Sequence, residues 1–386
     1  MAKTAIVIPA YIKADSPQEI SKTTGFKMLK RALKSLEIIK NGELDIILPF
    51  CIEGKGTDED TAKEYHSLLM EALSNPFPFR RIVLTSHNLN AVKKYISRNG
   101  FSDVAEKLNV CGFPNIRNCG LIISHALGAA VTIFLDNDEI IENPDFLHIA
   151  LEGVTEPADG VKMDGKGGFY ISKDGEIYEK NTAPWWQVSW NKSKLFQAVW
   201  EAIIESKDRF VESPVVLGGN LVLSQRLFEC IPFDPLIPRG EDIDYLINAR
   251  LAGFKVLFDK HLKIKHLPLE RTFSYKKEEL KGDIERFLYE RAKVMGHKGL
   301  NLHPYPGYFL KWDMEVKAVI TIILFSLYLA SNNQWGESMK VYTYLISLIR
   351  KRKDMGFYKQ FRQRWANLME FIRLDGLKDI LRDSSL

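Results

Sequence analysis

The first 150 residues alternate short aliphatic runs with longer amphipathic segments, and this alternation limits the folds open to the chain. Strands are predicted at 4–9, 44–50, 81–86 and 131–136, with helices between them. Strands that alternate with crossover helices form a parallel sheet with helices on both faces. The sequence therefore predicts an α/β fold built on a mostly parallel sheet.

The pattern changes after about residue 157. Asp174-Gly175 lies between two alternating segments and predicts a hairpin. Residues 215–231 are predicted as a strand, a glycine pair and the start of a helix, and 241–254 as an amphipathic helix ending near Gly253. Two short strands, KVLFD and LKIKHL, follow, and everything beyond about residue 275 is predicted to be helical.

Composition narrows the class of protein. A net charge of +4 is too mild to indicate nucleic acid as a partner. No C-x-x-C pair is present among the cysteines, which argues against a zinc site and a disulfide framework and fits a reducing cytoplasm. The cysteines are Cys51, Cys111, Cys119 and Cys230.

The longest apolar segment, at 318–330, is shorter than the ~20 residues that cross a bilayer. We predict it to be a buried helix. The apolar run at the N-terminus is too short for a signal peptide. The expected location is the cytoplasm, with peripheral contact at the inner membrane surface as an alternative.

Acidic residues crowd the end of the fourth predicted strand, where Asp136, Asn137, Asp138 and Glu139 follow the run VTIFL. Parallel sheets bind ligands beyond the carboxyl ends of their strands. A single aspartate there would usually cap a helix or form a turn. Two aspartates that bracket one residue fit a hard cation better, and Mg²⁺ or Mn²⁺ shared with substrate phosphates is predicted.

The order of several motifs resembles the nucleotide-sugar glycosyltransferases of the GT-A fold. Arg117, Asn118 and Gly120 precede the Asp-x-Asp pair, and residues 217–256 hold a Gly-Gly strand and a Gly-Glu-Asp helix start. This second stretch is similar to family 2 enzymes, to β-1,4-galactosyltransferases and to mannosylglycerate synthase. The resemblance covers about residues 4–270 and implies a Rossmann-like GT-A domain. Within it, 1–150 would be the nucleotide-binding half, 151–270 the acceptor half, and 271–386 a helical C-terminal extension.

The resemblance implies catalytic roles for the Glu-Asp pair. In inverting enzymes of this kind the aspartate, here Asp242, is the general base, and Glu241 would orient the acceptor. A positioned base contributes roughly 10²–10⁴-fold to the rate. Asp244 is a spare candidate for the base. The alternative is that these acids only stabilise the helix N-terminus.

Metal and sugar contacts are implied in the same way. His266 would complete the metal site with Asp136 and Asp138, and His261 is the competing histidine. A lone histidine is otherwise usually structural. The resemblance places the donor sugar against Gly218, Gly219 and Asn220. Trp185 and Trp186 are predicted either as core residues or as a floor for the acceptor sugar.

The nucleotide is expected at the ends of the first strands. The resemblance assigns Pro9, Ala10, Tyr11 and Glu53 to the base, ribose and diphosphate, together with Arg117, Asp136 and Asn137. The glycine-rich signatures of other nucleotide binders are absent from the sequence. We expect the metal and a few side chains to hold the diphosphate.

The predicted function is metal-dependent, inverting transfer of a sugar from a nucleoside-diphosphate sugar, UDP-linked by default, to an acceptor hydroxyl. A retaining enzyme of the mannosylglycerate-synthase type using GDP-mannose is the alternative. A sugar nucleotidyltransferase is disfavoured because PAYIKADSP lacks a glycine-rich basic loop, and a non-catalytic binder is disfavoured by the carboxylates and histidine. The acceptor is expected to be a carbohydrate, glycerate or a lipid headgroup.

The C-terminal tail interleaves basic and aromatic residues. A solvated helix face or a homo-oligomer contact is the favoured interpretation, and contact with an anionic membrane is the alternative. The loop HPYPGY at 303–308 is predicted to be ordered and to border the active site. The tail residues in question are Arg350, Lys351, Arg352, Lys353, Lys359, Arg362, Arg364 and Arg373, with Phe357, Tyr358, Phe361 and Trp365.

Overall fold

The computed structural model describes most of the chain and confirms the predicted α/β class. Its described residues form one mixed sheet of ten strands flanked by helices. They are 2–40, 42–54, 58–177, 183–268, 277–297, 299–348, 355–375, 377 and 385–386.

The strands are β1 (Thr4–Val7), β2 (Ala10–Lys13), β3 (Leu44–Glu53), β4 (Arg80–Leu84), β5 (Val131–Phe134), β6 (Glu139–Ile140), β7 (Gly165–Ile171), β8 (Phe210–Val211), β9 (Leu221–Ser224) and β10 (Val256–His266). The helices are α1 (Thr24–Leu36), α2 (Glu59–Ala72), α3 (Ser86–Arg98), α4 (Ser102–Ala105), α5 (Phe113–Ala126), α6 (Phe146–Leu151), α7 (Lys192–Glu205), α8 (Gln225–Cys230), α9 (Glu241–Leu251), α10 (Lys277–Val294), α11 (Met314–Ser331), α12 (Trp335–Leu348) and α13 (Met355–Asp375).

The sheet runs β2-β3-β1-β5-β9-β7-β10-β6, with β4 beside β3 and β8 beside β10. The half formed by β1 to β5 is parallel, whereas β9 pairs antiparallel with both β5 and β7. Val7 of β1 lies opposite Phe134 of β5. Since these strands are parallel, their carboxyl ends open at the same edge of the sheet, where the acidic residues follow β5.

The central strands β1 and β5 are buried at every position because both faces of the sheet are covered. Ala5 and Val7 face the core formed with α5, α8 and α13, while Ile6 and Ile8 face the core formed with α1 and α2. This burial fixes β1 and β5 as rigid supports for the residues at their ends.

Three predicted strands differ from the structure. The strand predicted before the glycine pair in 215–231 is absent, since Asn220 N donates to Leu217 O across a turn and β9 begins only at Leu221. The two short strands predicted after α9 form the single strand β10, whose pairing with β7 shifts register between Phe258 and Lys263. A long-range sheet pairing thus joined segments that the local pattern separated.

Asp174-Gly175 does form a turn, in which Ser172 N donates to Glu176 O. Part of the predicted return strand, at 178–182, lies outside the described residues. The segment before the turn is β7, which pairs with β9 and β10.

The prediction of helices after residue 275 is confirmed by α10 to α13. These helices share cores with the sheet. Trp365 of α13 donates its indole N–H to Phe228 O at 2.9 Å, and Phe325 of α11 packs against Trp186. The division into two domains at residue 270 stays a prediction.

Helix α11 contains the apolar segment that was predicted to be a buried helix. Among the described residues it is the one helix long and apolar enough to cross a membrane by length and composition, with a mean hydropathy of 1.7. Only 44% of it is buried. The prediction is right for one face of the helix and wrong for the other.

The expectation drawn from the cysteines is corrected by a disulfide between Cys51 and Cys111. Cys51 lies near the end of β3 and Cys111 lies just before α5, so their side chains meet although 60 residues separate them. Disulfides persist in oxidising compartments. The argument from cysteine usage to a reducing compartment therefore does not hold, and the cytoplasmic location stays a prediction.

Part of the basic tail, at 349–354 and including Arg350, Lys351, Arg352 and Lys353, lies outside the described residues, as does the side chain of Arg373. In α13, Phe361 and Trp365 are buried in the core. Arg364 forms an ion pair with Asp103 at 2.8 Å. Phe361 and Trp365 therefore stabilise the fold and are not exposed for contact with a membrane.

Candidate active site

The end of β5 gathers three carboxylates. One oxygen each from Asp136, Asp138 and Glu139 lies within 4.8 Å of the others, so the three could hold a metal ion. The Asp136 backbone N–H donates to Glu139 Oε2 at 2.6 Å, which fixes the turn. Burial raises the pKa of Asp136, and burial together with Asp136 raises the pKa of Glu139 well above its usual range. A cation would relieve this repulsion among the carboxylates.

His266 reaches the acidic cluster from the neighbouring strand. It ends β10 and lies opposite Glu139 in the pairing of β10 with β6. Its Nε2 lies 3.5 Å from Asp138 Oδ2. His261 is exposed on the same strand, with its backbone N–H bonded to Asp259 Oδ1 at 2.9 Å. The structure thus brings His266, and not His261, to the cluster.

Arg117 joins three segments that are far apart in the sequence. Its Nη2 donates to Asp136 Oδ1 at 3.2 Å, its Nη1 to Gly218 O at 2.7 Å and its Nε to Glu241 Oε1 at 3.1 Å. The acidic cluster, the glycine pair and the Glu-Asp helix start are therefore linked through one guanidinium.

The surroundings of Arg117 explain why it is held so firmly. Its side chain is only 3% exposed and lies near the rings of Phe134 and Phe233. Burial would lower its pKa, but the carboxylates of Asp136 and Glu241 raise it. Arg117 was predicted to contact the nucleotide. Each of its three nitrogens instead donates to a protein oxygen, so Arg117 positions the protein groups around it.

Asp242 lies beside the glycine pair with its carboxylate oriented by backbone amides. Oδ2 accepts from Gly218 N at 3.0 Å and Oδ1 from Ile243 N at 2.8 Å. Asp242 is partly exposed, whereas Glu241 is buried against Arg117. Burial, together with the charge of Asp242, raises the pKa of Glu241 to about 7. Of the pair, Asp242 is thus the carboxylate that an acceptor can reach.

Asp244, the spare candidate for the base, has a structural role. It is fully buried and binds Lys293 Nζ at 2.7 Å, while its Oδ2 accepts from Asn248 Nδ2 at 2.7 Å. Lys293 also pairs with Asp234 at 2.7 Å. This network attaches α9 to α10.

Helix α10 also braces the first turn of α9. Gly240 has φ +72°, and a Cβ there would lie 1.4 Å from Arg286 Nη1. Arg286 donates to Arg239 O at 3.3 Å and to the hydroxyl of Tyr305, in the predicted loop HPYPGY. Glu290, fully buried one turn along α10, lies 3.5 Å from Arg286. Helix α10 therefore helps to set the position of the Glu-Asp pair.

The two glycines are required by close approach. A Cβ on Gly218 would lie 2.6 Å from Arg117 Nη2, and one on Gly219 would lie 2.3 Å from Glu139 Oε1. Asn220 is fully buried and donates to Phe169 O at 3.1 Å. The structure thus places the glycine pair at the site but turns the Asn220 amide into the sheet.

Sequence reasoning missed Tyr170. Its hydroxyl accepts from Gly219 N at 2.7 Å, and its ring lies 5.0 Å from that of His266. It also lies beside Glu139, and burial with this neighbouring carboxylate raises the tyrosine pKa well above its usual range. Its place in the alternating strand GGFYI carries no chemical signal, so only the sheet pairing could reveal this role.

At the end of the sheet predicted to bind the nucleotide, β2 pairs with the end of β3, and the Tyr11 hydroxyl donates to the Glu53 carboxylate. Asn137 Nδ2 donates to Gly25 O at 3.4 Å, and a Cβ on Gly25 would lie 2.2 Å from Tyr11 O. Gly25 thus connects Tyr11 to Asn137 of the acidic stretch. Pro9 lies between β1 and β2, and the buried Ala10 begins β2 just before Tyr11.

The two tryptophans contact the C-terminal helices. Trp186 is buried against Phe325 and Tyr328 of α11, and the partly exposed Trp185 packs on Tyr328. Trp186 has the position of a core residue. These ring contacts connect Trp185 and Trp186 to α11 and not to the acidic cluster.

Comparison with solved structures finds distant likeness to several glycosyltransferases. No protein-family profile and no curated protein matches the sequence. PcManGT, a mannosyltransferase from Pyrobaculum calidifontis solved with GDP-Man and Mn²⁺, aligns over 98% of this chain and 88% of its own, at 9% identity and a TM-score of 0.43.

Two further structures show weaker likeness. Glucosyl-3-phosphoglycerate synthase from Mycobacterium tuberculosis, solved with Mn²⁺, UDP and phosphoglyceric acid, aligns over 75% of this chain and 78% of its own at 15% identity and a TM-score of 0.36. GalNAc-T7, solved with UDP, GalNAc and Mn²⁺, aligns over 80% of this chain and 54% of its own at 12% identity and a TM-score of 0.39. These sequence identities and TM-scores are low, so the likeness does not identify the function of this chain.

Proposed function

We propose that the chain is a metal-dependent glycosyltransferase that moves a sugar from a nucleoside-diphosphate sugar to an acceptor hydroxyl with inversion. The observation that carries this proposal is the convergence at Arg117. One buried guanidinium binds Asp136, Gly218 and Glu241, and so brings the acidic cluster, the glycine pair and the candidate base to one place.

The donor set at the cluster fits a hard divalent cation. Asp136, Asp138 and Glu139 supply carboxylate oxygens and His266 supplies one imidazole nitrogen, a set suited to Mn²⁺ or Mg²⁺. When bound, the cation would neutralise charge on the departing diphosphate. Tyr11, Glu53 and Asn137 lie at the adjacent strand ends, where we place the nucleoside.

Asp242 is the proposed general base. The amides of Gly218 and Ile243 hold its carboxylate in one orientation while part of it stays accessible. As the acceptor oxygen bonds to the anomeric carbon, its proton passes to Asp242, and the bond from the anomeric carbon to the phosphate oxygen breaks. The nucleoside diphosphate leaves with that electron pair. Glu241 keeps Arg117 in place instead of contacting the acceptor.

A turnover assay with a matched control tests this proposal. Purified protein with Mn²⁺ is incubated with UDP- and GDP-sugars, and release of the nucleoside diphosphate is measured with carbohydrate, glycerate and lipid acceptors. Asp242→Asn should lower turnover by roughly 10²–10⁴-fold and leave donor affinity unchanged. The control, Asp208→Asn, alters an exposed aspartate of the loop after α7. Unchanged turnover in Asp242→Asn would contradict the assignment.

The stereochemical part is tested separately. Proton NMR of the first product formed from an α-linked donor should show the β-anomer. An α-product would replace the inverting assignment with the retaining alternative of the mannosylglycerate-synthase type. The metal site and nucleotide site would stand in either case.

A further inference from the structure

The second half of the molecule exposes an apolar surface that the proposed active site does not use. Helix α11 has a mean hydropathy of 1.7, yet only 44% of it is buried, and its charged residues, Glu315 and Lys317, lie in its first turn. The buried side, which includes Ala318, Ile322 and Phe325, packs into the core against Trp186. Its opposite side faces solvent.

The exposed side of α11 is one continuous stripe. Its members recur every three or four residues, which places them on one face of a helix. None of them is charged. They are Val316, Val319, Ile320, Ile323 and Leu327.

The neighbouring helix presents a second stripe of the same kind. Helices α11 and α12 form a hairpin in which the hydroxyls of Ser326 and Ser338 share a hydrogen bond of 2.8 Å. On α12, Trp335, Met339 and Tyr342 are exposed at helical spacing. We refer to the two stripes together as the hairpin face.

Tryptophans occupy the ends of the hairpin face. Trp312, just before α11, is 87% exposed, and Trp335, at the start of α12, is 65% exposed. Trp185 is also exposed and packs on Tyr328, near the C-terminal end of α11. Tryptophan is a large apolar side chain with one polar N–H and prefers the boundary between water and lipid.

The composition of the hairpin face favours a lipid bilayer over a second protein as its binding partner. Protein interfaces are enriched in arginine and depend on well-packed aromatic anchors, with leucine and valine under-represented among the energetically important residues. The α11 stripe is aliphatic and without charge, and tryptophans flank it, as in helices that lie in a membrane interface. Lys311 is exposed beside Trp312 along the chain. Its charge complements an anionic surface, whereas Lys340, beside Met339, is paired with Glu337 at 2.7 Å and adds no net charge there.

We propose that the hairpin face docks the protein on an anionic lipid bilayer, with α11 lying in the plane of the interface. Since the other side of α11 is part of the protein core, the helix does not cross the bilayer. This surface is distinct from the basic tail, and the inference does not depend on the proposed enzymatic function.

Vesicle sedimentation tests the proposal without a donor, metal or acceptor. The full chain is mixed with vesicles of phosphatidylcholine containing one third phosphatidylglycerol, and the bound fraction is measured against lipid concentration. The wild type should sediment with the vesicles. The double variant Ile323→Glu, Leu327→Glu should bind about tenfold or more weakly, because carboxylates resist transfer into the interface.

A matched variant controls for the added charge. Phe113→Glu places a carboxylate at an apolar residue of α5 that is 59% exposed, comparable with Leu327 at 56%. A single such substitution should leave vesicle binding within about twofold, and Ile323→Glu alone provides the comparison with equal charge. Circular dichroism confirms that each variant is folded. Lipids with brominated chains should quench tryptophan fluorescence in the wild type and not in the double variant.

Three results would overturn the proposal. The wild type could remain in the supernatant, or the double variant could bind vesicles as well as the wild type. A dimer that the double variant dissociates, with no vesicle binding by the wild type, would identify a second copy of the chain as the occupant.

Discussion

Replacing Arg117 with methionine removes the guanidinium that links the acidic cluster to the Glu-Asp helix start while keeping much of the side-chain volume. The change deletes three hydrogen bonds, to Asp136, Gly218 and Glu241. Hydrogen bonds to charged groups contribute about 1.5–3 kcal/mol each, so simple addition would give roughly 4.5–9 kcal/mol. That sum overestimates the loss of stability because the carboxylates left without Arg117 can be hydrated or protonated.

The two carboxylates that lose Arg117 can each be stabilised in another way. The Asp136 side chain is 38% exposed and can take up water, and the buried Glu241 can take up a proton because its pKa is already about 7. Removing one partner of a buried ion pair typically costs 3–5 kcal/mol. We expect Arg117→Met to lower the free energy of unfolding by about that amount, a large share of the 5–15 kcal/mol typical of folded proteins.

Urea unfolding at pH 7 measures this loss as a shift of the midpoint with an unchanged m-value. Arg364→Met provides the control, since Arg364 forms an exposed ion pair with Asp103 and its loss should cost about 0–1 kcal/mol. Arg117→Lys keeps the charge without the three-way geometry and should fall between them. If Arg117→Met and Arg364→Met unfold at the same midpoint, Arg117 does not hold the site together.

Three further predictions concern the metal site, the glycine pair and the buried acid of α10. Asp138→Ala should abolish Mn²⁺-dependent binding of the nucleoside-diphosphate sugar in calorimetry, and an unchanged affinity would remove Asp138 from the metal ligands. Gly219→Ala should weaken Mn²⁺ binding in calorimetry, because its Cβ would meet Glu139 Oε1 at 2.3 Å, whereas Gly282→Ala, with no atom within 4 Å of its Cβ, should leave Mn²⁺ affinity unchanged. Burial raises the pKa of Glu290 from 4.5 to about 8. The unfolded state therefore loses its proton first, and the free energy of unfolding should fall as pH rises between about 4.5 and 8; Glu290→Gln should flatten this slope in urea titrations, and an unchanged slope would contradict it.

Much of the fold could be predicted because short stretches of sequence show which strands are buried. The apolar runs of β1 and β5 are buried on both faces, so their pattern reports the parallel sheet directly. The acidic residues after β5 were predictable for the same reason, since the carboxyl end of a buried parallel strand is where ligands bind. The place of His266 at the end of a strand favours it over His261, and the structure brings it within 3.5 Å of Asp138.

The remaining features depend on contacts between distant segments. No local pattern shows that Arg117 binds three protein oxygens, or that Asp244 pairs with Lys293 of α10. Tyr170 belongs to the site only because β7 places it beside Gly219 and His266. The disulfide between Cys51 and Cys111 likewise joins segments 60 residues apart.

Pulsed electron paramagnetic resonance of bound Mn²⁺ tests the central claim most directly, since it reports the nuclei around the ion. In the presence of UDP or GDP, the wild-type spectrum should show coupling both to a histidine ¹⁴N and to ³¹P of the diphosphate. The nitrogen coupling should disappear in His266→Ala. Bound Mn²⁺ that shows neither coupling, or a nitrogen coupling that survives in His266→Ala, would contradict a metal and nucleotide site at the end of β5.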